Sequence, residues 1–570
     1  MICQEIPSDL FGGSPVLVVG AGPAGIVQAL ELRRHGIEVT MLAGGADGFN
    51  AGFQVLADAE IVDPNRHAPM QIAVRRALGG TSLLWGGRCV PFDDIDFADR
   101  PHVPLGGWPL SHDEIRPWYD IAMGYLNAGA PEFSALLPSL DALADCRVDR
   151  LERWSERRNL RQRYAAALEG DPGLKILLGA VAVGIETDPL TGRVTGIPVC
   201  LASGERVTMR ARAIVLACGG LETTRLMLAA RMAQPRLFGG SAGMLGRNYM
   251  AHFEGRIADV VFGPTLPGDA FDFFIDASGR YGRRRITIND EAQQRYQLLN
   301  MAAWPDNPLL SDPAHRSAIL SLAYLCLATP GLGHLLEPEA IRRKYLEHGV
   351  KDVAKHLGNI VAGLPEAARE TVRFLYRRYG KAPRLPGFFI PNKARRYAFF
   401  YHAEQAPNPT STVSLAGTRD ALGLPRLKID LRYSDLDAGS VVAGHRIIDR
   451  DLREAGIGRL EYHSPEEGLA ARVRDQMTDG YHQIGTIRMA ADAARGVVDA
   501  NCRVHGTDNL FVASSAVFPT SGQANPTLLI TAFSARLAAH LARLVRELPE
   551  PDALLRADRR GRKEVADALP

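Results

Sequence analysis

No cysteine pattern of the kind that marks a metal site, a c-type haem or a disulfide scaffold is present in this sequence. Its seven cysteines, at 3, 89, 146, 200, 218, 326 and 502, are odd in number, widely spread and free of any C-x-x-C. They read as reduced, mostly buried thiols, with no metal expected. Neither charge is in excess: 66 basic residues face 64 acidic ones, a net charge of +2. The footprint of a nucleic-acid binder is therefore missing. The apolar stretch Ser317–Ala328 is twelve residues long, where a membrane-spanning helix needs about 20. The N-terminus, MICQEIPSDLFGG, has no basic region, apolar core or twin arginine, so a cytoplasmic location is expected. No internal repeat is visible. What is present is 46% hydrophobic residues across 570 positions, enough for a large core.

Pro15–Leu42 reads PVLVVGAGPAGIVQALELRRHGIEVTML. The unbroken apolar run Val16–Val19 predicts a strand buried on both faces of a parallel sheet. Gly20, Gly22 and Gly25 then give G-x-G-x-x-G, followed by a helix over about 24–35 and a second strand over 38–42. Gly20 permits the tight turn, Gly22 lets backbone approach a pyrophosphate, and Gly25 allows close helix–strand packing. The helix N-terminus, with Ala24 in its first turn, attracts the phosphates. An acid that binds the adenosine ribose is expected about 20 residues past the glycines. Ala43 stands there instead, and Asp47 is the nearest acid able to reach back. On this motif alone, NAD and FAD both remain open.

The opposite end carries a second signal. Asp479–Ala490 reads DGYHQIGTIRMA, and further on comes SSAVFPTSGQANPTLLITAFSARLA. His482 lies in a Gly-Thr turn, and Asn525 lies between a Gly/Ser loop and an apolar helix. An imidazole that titrates near neutrality beside an amide donor suits removal of a proton from one oxygen. On spacing alone, a satisfied core histidine and a helix-capping amide fit equally well.

Further segments lie between these ends: RALGGTSLLWGGR (76–88), WPLSHDEIRPWY (108–119), AIVLACGGLETTRLML (213–228), LGRNYMAH (245–252) and EQAPNPTSTVSL (404–415). Their order resembles the glucose–methanol–choline (GMC) family of FAD-dependent alcohol oxidoreductases, nearest to bacterial sugar- and aminoglycoside-oxidising dehydrogenases and pyranose-oxidase-like members. The resemblance runs from about 15 to 545 and is weak near 305–400. It implies an α/β architecture in which a discontinuous Rossmann-like FAD-binding domain meets an antiparallel-sheet substrate domain, as in the p-hydroxybenzoate-hydroxylase-like folds. It implies FAD as cofactor, His482 as catalytic base and Asn525 as its partner. Gly20, Gly22, Ala24 and Gly25 would hold the pyrophosphate, Gly80, Thr81 and Ser82 would border the flavin, and Val183 would lie near the adenine. Ala516, Asn525 and Thr527 would lie near the isoalloxazine. Members with covalent FAD carry a histidine just before the tryptophan. Leu84 precedes Trp85 here, so noncovalent FAD is implied.

The resemblance divides the chain into FAD-binding segments 1–100, 150–255 and 470–548, substrate segments 101–149 and 256–469, and a charged tail 549–570. The antiparallel sheet is expected to include 283–288, 398–404 and 426–432, and a β-meander is expected over 175–186 and 194–213. A helical insertion over about 313–380 would pack on the substrate domain, dock a partner subunit or lie weakly on a membrane. His252 reads as structural and His463 as a loop residue. Glu404, Gln405, Tyr481 and Gln483 are candidates for touching a polyol. The expected activity is oxidation of a CH–OH group of a sugar, glycoside or aminoglycoside-like polyol, with hydride transfer to flavin N5. A sterol or long-chain alcohol, or a non-redox lyase or decarboxylase reaction, are the alternatives. The electron acceptor (oxygen, quinone or redox protein) stays open, as does export to the periplasm with a partner.

Overall fold

The computed structural model describes residues 2–3, 13–137, 143–336, 342, 346, 351–380, 382–387, 389–391 and 394–548. The charged tail beyond 548 lies outside the described residues.

Two sheets organise the chain. The first has six strands, all parallel, in the order Ile2–Cys3, Leu174–Leu178, Val39–Ala43, Ser14–Val19, Ala211–Leu216, Leu510–Val512. Val16, Leu17 and Val18 are completely buried, as a strand covered by helices on both faces requires. This order explains how the chain ends meet. The strand before the glycine loop is separated from the C-terminal strand only by Ala211–Leu216, with Val16 level with Ala213 and Leu510 with Ile214. The helix Pro23–Arg34 then packs against the last described helix, Thr527–Leu544. Full burial of Leu528 and Leu529 on that helix contributes roughly 1.5–3 kcal/mol each.

The second sheet runs Gly458–Tyr462, His252–Phe262, Arg396–Glu404, Met301–Asp306, Ile286–Ile288, Cys146–Arg147, all antiparallel. The helix Asp435–Glu454 covers one face, and its Ala438, Val441 and Ile448 enter a core separate from that of the parallel sheet. Between the two lies a four-stranded sheet in which Arg88–Cys89 and Leu151–Trp154 pair in line with Tyr281–Arg284 and Phe274–Ile275. Early segments of the chain are thereby stitched to the middle of it.

Three expectations need revision. Residues 426–432 do not join the large antiparallel sheet. Pro425–Asp430 pairs with Thr412–Arg419 and, in parallel, with Ala59–Ile61. Alternating polarity fixes which face of a strand is buried but not which neighbour it takes. Leu174–Leu178 belongs to the parallel sheet, while the meander is made by Val181–Ala182, Glu186–Thr187, Val194–Cys200 and Arg206–Met209. Of 283–288, Arg283 and Arg284 belong to the four-stranded sheet, and only Ile286–Ile288 belongs to the large one.

The insertion is helical where described: Ala318–Ala328, Leu332–Leu336, Val353–Ala362 and Leu364–Leu375. Its small core gathers Leu310, Leu320, Tyr324 and Leu327. Among the described residues, no helix is long and apolar enough to cross a membrane.

Candidate active site

A cleft opens where the glycine loop meets the C-terminal strand, with about 1550 Å³ of empty space, its open mouth included. Near the first helix its wall is glycine-rich. A side chain at Gly20 would put its Cβ 2.4 Å from the Ala217 carbonyl oxygen, and one at Gly25 would come 2.0 Å from the Gly20 oxygen. At Gly22 the nearest atom would be the Gly80 Cα, 3.9 Å away, so Gly22 is open toward the cleft. The helix that starts at Pro23 has no side-chain cap and no acid in its first turn. Its free N–H groups and positive end are therefore available to an anion. A dinucleotide pyrophosphate fits this cradle.

Gly20, Gly22, Ala24, Gly80, Thr81, Ser82 and Thr527 all line the cleft. Gly25 lies behind the wall as a packing glycine. Val183 and Ala516 also lie off the wall. Along 180–183 it is Ala180 and Ala182 that face in, so the alternation of an extended chain turns Val183 away. At the other position Ser514 and Ser515 supply the wall, and Ser514 caps the turn by accepting from the Ala516 N–H. Asp47 does not serve the ribose, because its carboxylate is held by Arg161 at 2.6 and 2.9 Å. The acids on the cleft wall are Asp58 and Glu222, the latter paired with Arg76 at 3.0 Å.

Beside the cleft, three imidazoles meet. His252 and His402 lie on adjacent strands of the antiparallel sheet. His252 is opposite Glu404, which places His402 on the same face, two residues along. Their rings stack with centroids 4.7 Å apart. His482 arrives from a loop whose backbone is left-handed at Gly480 (φ 52°) and Tyr481 (φ 61°). A Cβ at Gly480 would lie 2.4 Å from the His252 carbonyl oxygen, so only glycine lets the loop come this close. Met250 and Ile484 clamp the loop with reciprocal backbone hydrogen bonds. LGRNYMAH and DGYHQIGT therefore form one unit: the first is the platform on which the second is bent.

Hydrogen bonds give each ring a protonation state. His252 Nε2 donates to the Ser521 carbonyl at 3.0 Å, leaving Nδ1 with a lone pair. That Nδ1 lies 2.9 Å from Nδ1 of His482, which must then be the protonated partner. His482 Nε2 is left unprotonated and accepts from the Asn525 amide Nδ2 at 3.2 Å. His402 Nδ1 donates to the Gln523 carbonyl at 2.6 Å. Although one nitrogen of each ring lies within 4.8 Å of the other two, close enough for a shared cation, this is a directional chain of hydrogen bonds that ends in a basic nitrogen. Asn525 Oδ1 is buried with no partner, an acceptor held ready at the same spot.

Burial drives the three rings toward neutrality. The pKa of His482 lies well below the usual histidine value, through desolvation first and then the neighbouring His252 and Arg88 charges. His252 is lowered to about 4, chiefly by desolvation, and His402 is also well below the usual value. Arg88 lies over the Trp304 ring at 4.5 Å and pairs with the buried Glu152 at 2.5 Å.

The structure brings His482 and Asn525 together. His252, read from sequence as structural, is the direct partner of the base, and His402 and Arg88 had no sequence signal. Glu404 does not face a substrate: it is fully buried and forms two 2.7 Å bonds to Arg100. Gln405 is occupied by the Ala251 N–H and the Arg432 carbonyl. His463 pairs with Asp259 at 2.9 Å. Tyr481 and Gln483 line the cleft.

Residues 407–534 match the GMC oxidoreductase family model, and residues 13–48 match an FAD-binding domain model. The C-terminal part of the chain thus resembles the GMC oxidoreductases, and its N-terminal part an FAD-binding domain. It is 23% identical to paromamine 6'-oxidase of Streptomyces fradiae, over 92% of this chain and 91% of that one. It is 24% identical to the fructose dehydrogenase large subunit of Gluconobacter japonicus, over 66% of this chain and 55% of that one. Among solved structures, pyridoxine 4-oxidase from Mesorbium loti superposes with a TM-score of 0.51 at 17% identity, covering 93% of this chain and 99% of that one. Formate oxidase does so with a TM-score of 0.51 at 15% identity, covering 94% and 100%. These two show the fold. Together these matches support an FAD-dependent oxidoreductase, and the cleft beside the glycine loop is where FAD fits.

Proposed function

We propose that this chain is a GMC oxidoreductase that oxidises a CH–OH group of a sugar, glycoside or aminoglycoside-like polyol to a carbonyl, with His482 as the base. The observation that carries the reading is the unprotonated Nε2 of His482, 3.2 Å from the Asn525 amide in a half-buried position on the cleft. A substrate hydroxyl placed between the two donates its proton to Nε2 and accepts from the Asn525 N–H. As the O–H bond breaks, its electrons form the C=O bond and the hydrogen on carbon leaves with its electron pair. FAD, when bound, supplies the two-electron acceptor for that hydrogen. His252 holds His482 in the tautomer that leaves Nε2 free. The substrate class is supported by the relatives' names: paromamine 6'-oxidase, fructose dehydrogenase and the C-glycoside 3-oxidase of Microbacterium trichothecenolyticum. Leu84 before Trp85 supports noncovalent FAD. We assign the domains as read from the sequence.

The test is anaerobic titration of the purified protein with sugars, glycosides, aminoglycosides and sterols while the visible flavin band is followed. One sugar-like compound should bleach the band, and readmitted air then separates an oxidase from a dehydrogenase. His482→Ala should slow bleaching by ~10²–10⁴-fold with flavin retained. An unchanged rate removes His482 from the reaction.

A further inference from the structure

The insertion between the substrate-sheet strands Met301–Asp306 and Arg396–Glu404 turns apolar side chains outward. On the helix Val353–Ala362, residues Val353, Leu357 and Val361 are exposed at a spacing of four. On Leu364–Leu375 and the turn after it, Leu364, Val372, Leu375, Tyr376 and Tyr379 continue the stripe. Val361 is 77% exposed and Val372 68%. The helices are not free to roll these residues inward, because their opposite faces are already engaged. His356 is fully buried against the Tyr324 ring, centroids 4.5 Å apart, with Nδ1 3.0 Å from the Ser321 hydroxyl. Ala367 is buried, and Phe374 packs on the core of the antiparallel sheet.

Charge follows the same stripe. Arg369 and Arg373 lie four apart along one flank of the second helix, and Lys351 and Lys355 lie at the start of the first, while Arg377 beyond the helix is held by Asp272 at 3.7 Å. Residues 351–380 hold six basic and three acidic side chains in a chain that is otherwise balanced. Asp352 and Glu370 are each paired locally, at 2.9 Å to Lys355 and 3.3 Å to Arg369. Apolar side chains in a continuous stripe, basic residues along its flank and tyrosines at one end are what an interfacial helix presents to lipid. Two helices of 10 and 12 residues are too short to span a bilayer.

We propose that the hairpin 353–375 lies flat on the surface of an anionic lipid bilayer, with its valines and leucines in the acyl boundary and its arginines among the phosphates. The regular basic flank favours this over a protein partner, whose charges would be matched at fixed points.

The test is flotation of the full-length, FAD-loaded protein with vesicles of phosphatidylcholine alone or mixed with phosphatidylglycerol. Binding should appear with the mixed vesicles and fall with added salt. Val361→Glu with Val372→Glu should abolish it. Arg369→Gln with Arg373→Gln should weaken it roughly thirtyfold, about fivefold per basic residue near an anionic surface. Both sites are exposed, so retained flavin absorbance certifies the variants as folded. The proposal is overturned if neither vesicle binds, or if the variants bind as the parent does. It is equally overturned if light scattering shows a stable dimer that Val372→Glu dissociates, since a second copy then covers the stripe.

Discussion

The cofactor cleft and the histidine layer beside it are built on opposite principles. The cofactor end of the cleft is shaped by glycines at 20, 22 and 80 and by small side chains, with the packing glycine Gly25 behind it. Its chemistry needs room and oriented dipoles, so the residues that matter are those with no side chain. The histidine layer is made of side chains. His252, His402, His482 and Asn525 each have one ring or amide atom committed to a named partner, and the function is the one lone pair left over. The cleft should therefore fail by addition of atoms and the histidine layer by removal of a single hydrogen bond.

The largest effect is expected in the cleft, where two neighbouring glycines separate binding from folding. A Cβ at Gly22 meets nothing nearer than 3.9 Å of protein and projects into the cradle. Gly22→Val should therefore fold but lose FAD, with affinity reduced at least 100-fold in fluorescence titration. This follows from steric displacement of a group that backbone must approach closely. A Cβ at Gly25 meets the Gly20 carbonyl oxygen at 2.0 Å. Gly25→Val should instead cost folding itself, read as insoluble or thermally labile protein, since overpacking this tight cannot relax without moving the helix from its strand. Equal behaviour of the two variants would break the assignment of separate roles.

That contrast also explains what the sequence could tell. Gly20, Gly22 and Gly25 lie within six residues of one another, and strand, turn and helix follow without interruption, so local pattern was sufficient. The base and its amide could be proposed from the character of their loops and the family resemblance. His252 could not, because its partnership with His482 depends on a strand pairing that brings residues 252 and 404, 152 apart in sequence, level and on a glycine-permitted bend at 480. Residues 426–432 were placed in the wrong sheet for a related reason: a strand's amphipathic pattern identifies its buried face and says nothing about its neighbour. Nothing local to Glu404 reveals that its carboxylate is committed to Arg100, 304 residues away.

A smaller effect is expected from His252→Phe. The ring volume is kept and the stacking on His402 survives, but the acceptor for the His482 Nδ1 proton is gone. His482 can then populate the tautomer with Nε2 protonated, which cannot take a proton from substrate. Loss of one buried hydrogen bond is worth about 1–1.5 kcal/mol, so flavin reduction should slow about tenfold with FAD affinity unchanged. His252→Asn, which can still accept, should recover part of the rate. A purely structural His252 would show no such recovery and would lower thermal stability in both variants.

The smallest expected effect is also the sharpest test of the layer's electrostatics. A base must be unprotonated to act, so the acid limb of the rate marks where His482 gains a proton. In water that would fall near the ordinary histidine value of 6.5. Burial, His252 and Arg88 all disfavour the imidazolium, so the folded value is lower and Nε2 stays free as pH drops through 6.5. Flavin reduction under single-turnover conditions should therefore change less than about twofold between neutral pH and 6, falling only below that. Removing the Arg88 charge with Arg88→Met relieves one cause of the shift, and the acid limb should move upward toward 6.5 while the plateau keeps its height. If the parent protein already loses half its rate near 6.5, the imidazole is solvated in the working enzyme. The desolvated chain His252–His482–Asn525 would then not be the state that reacts.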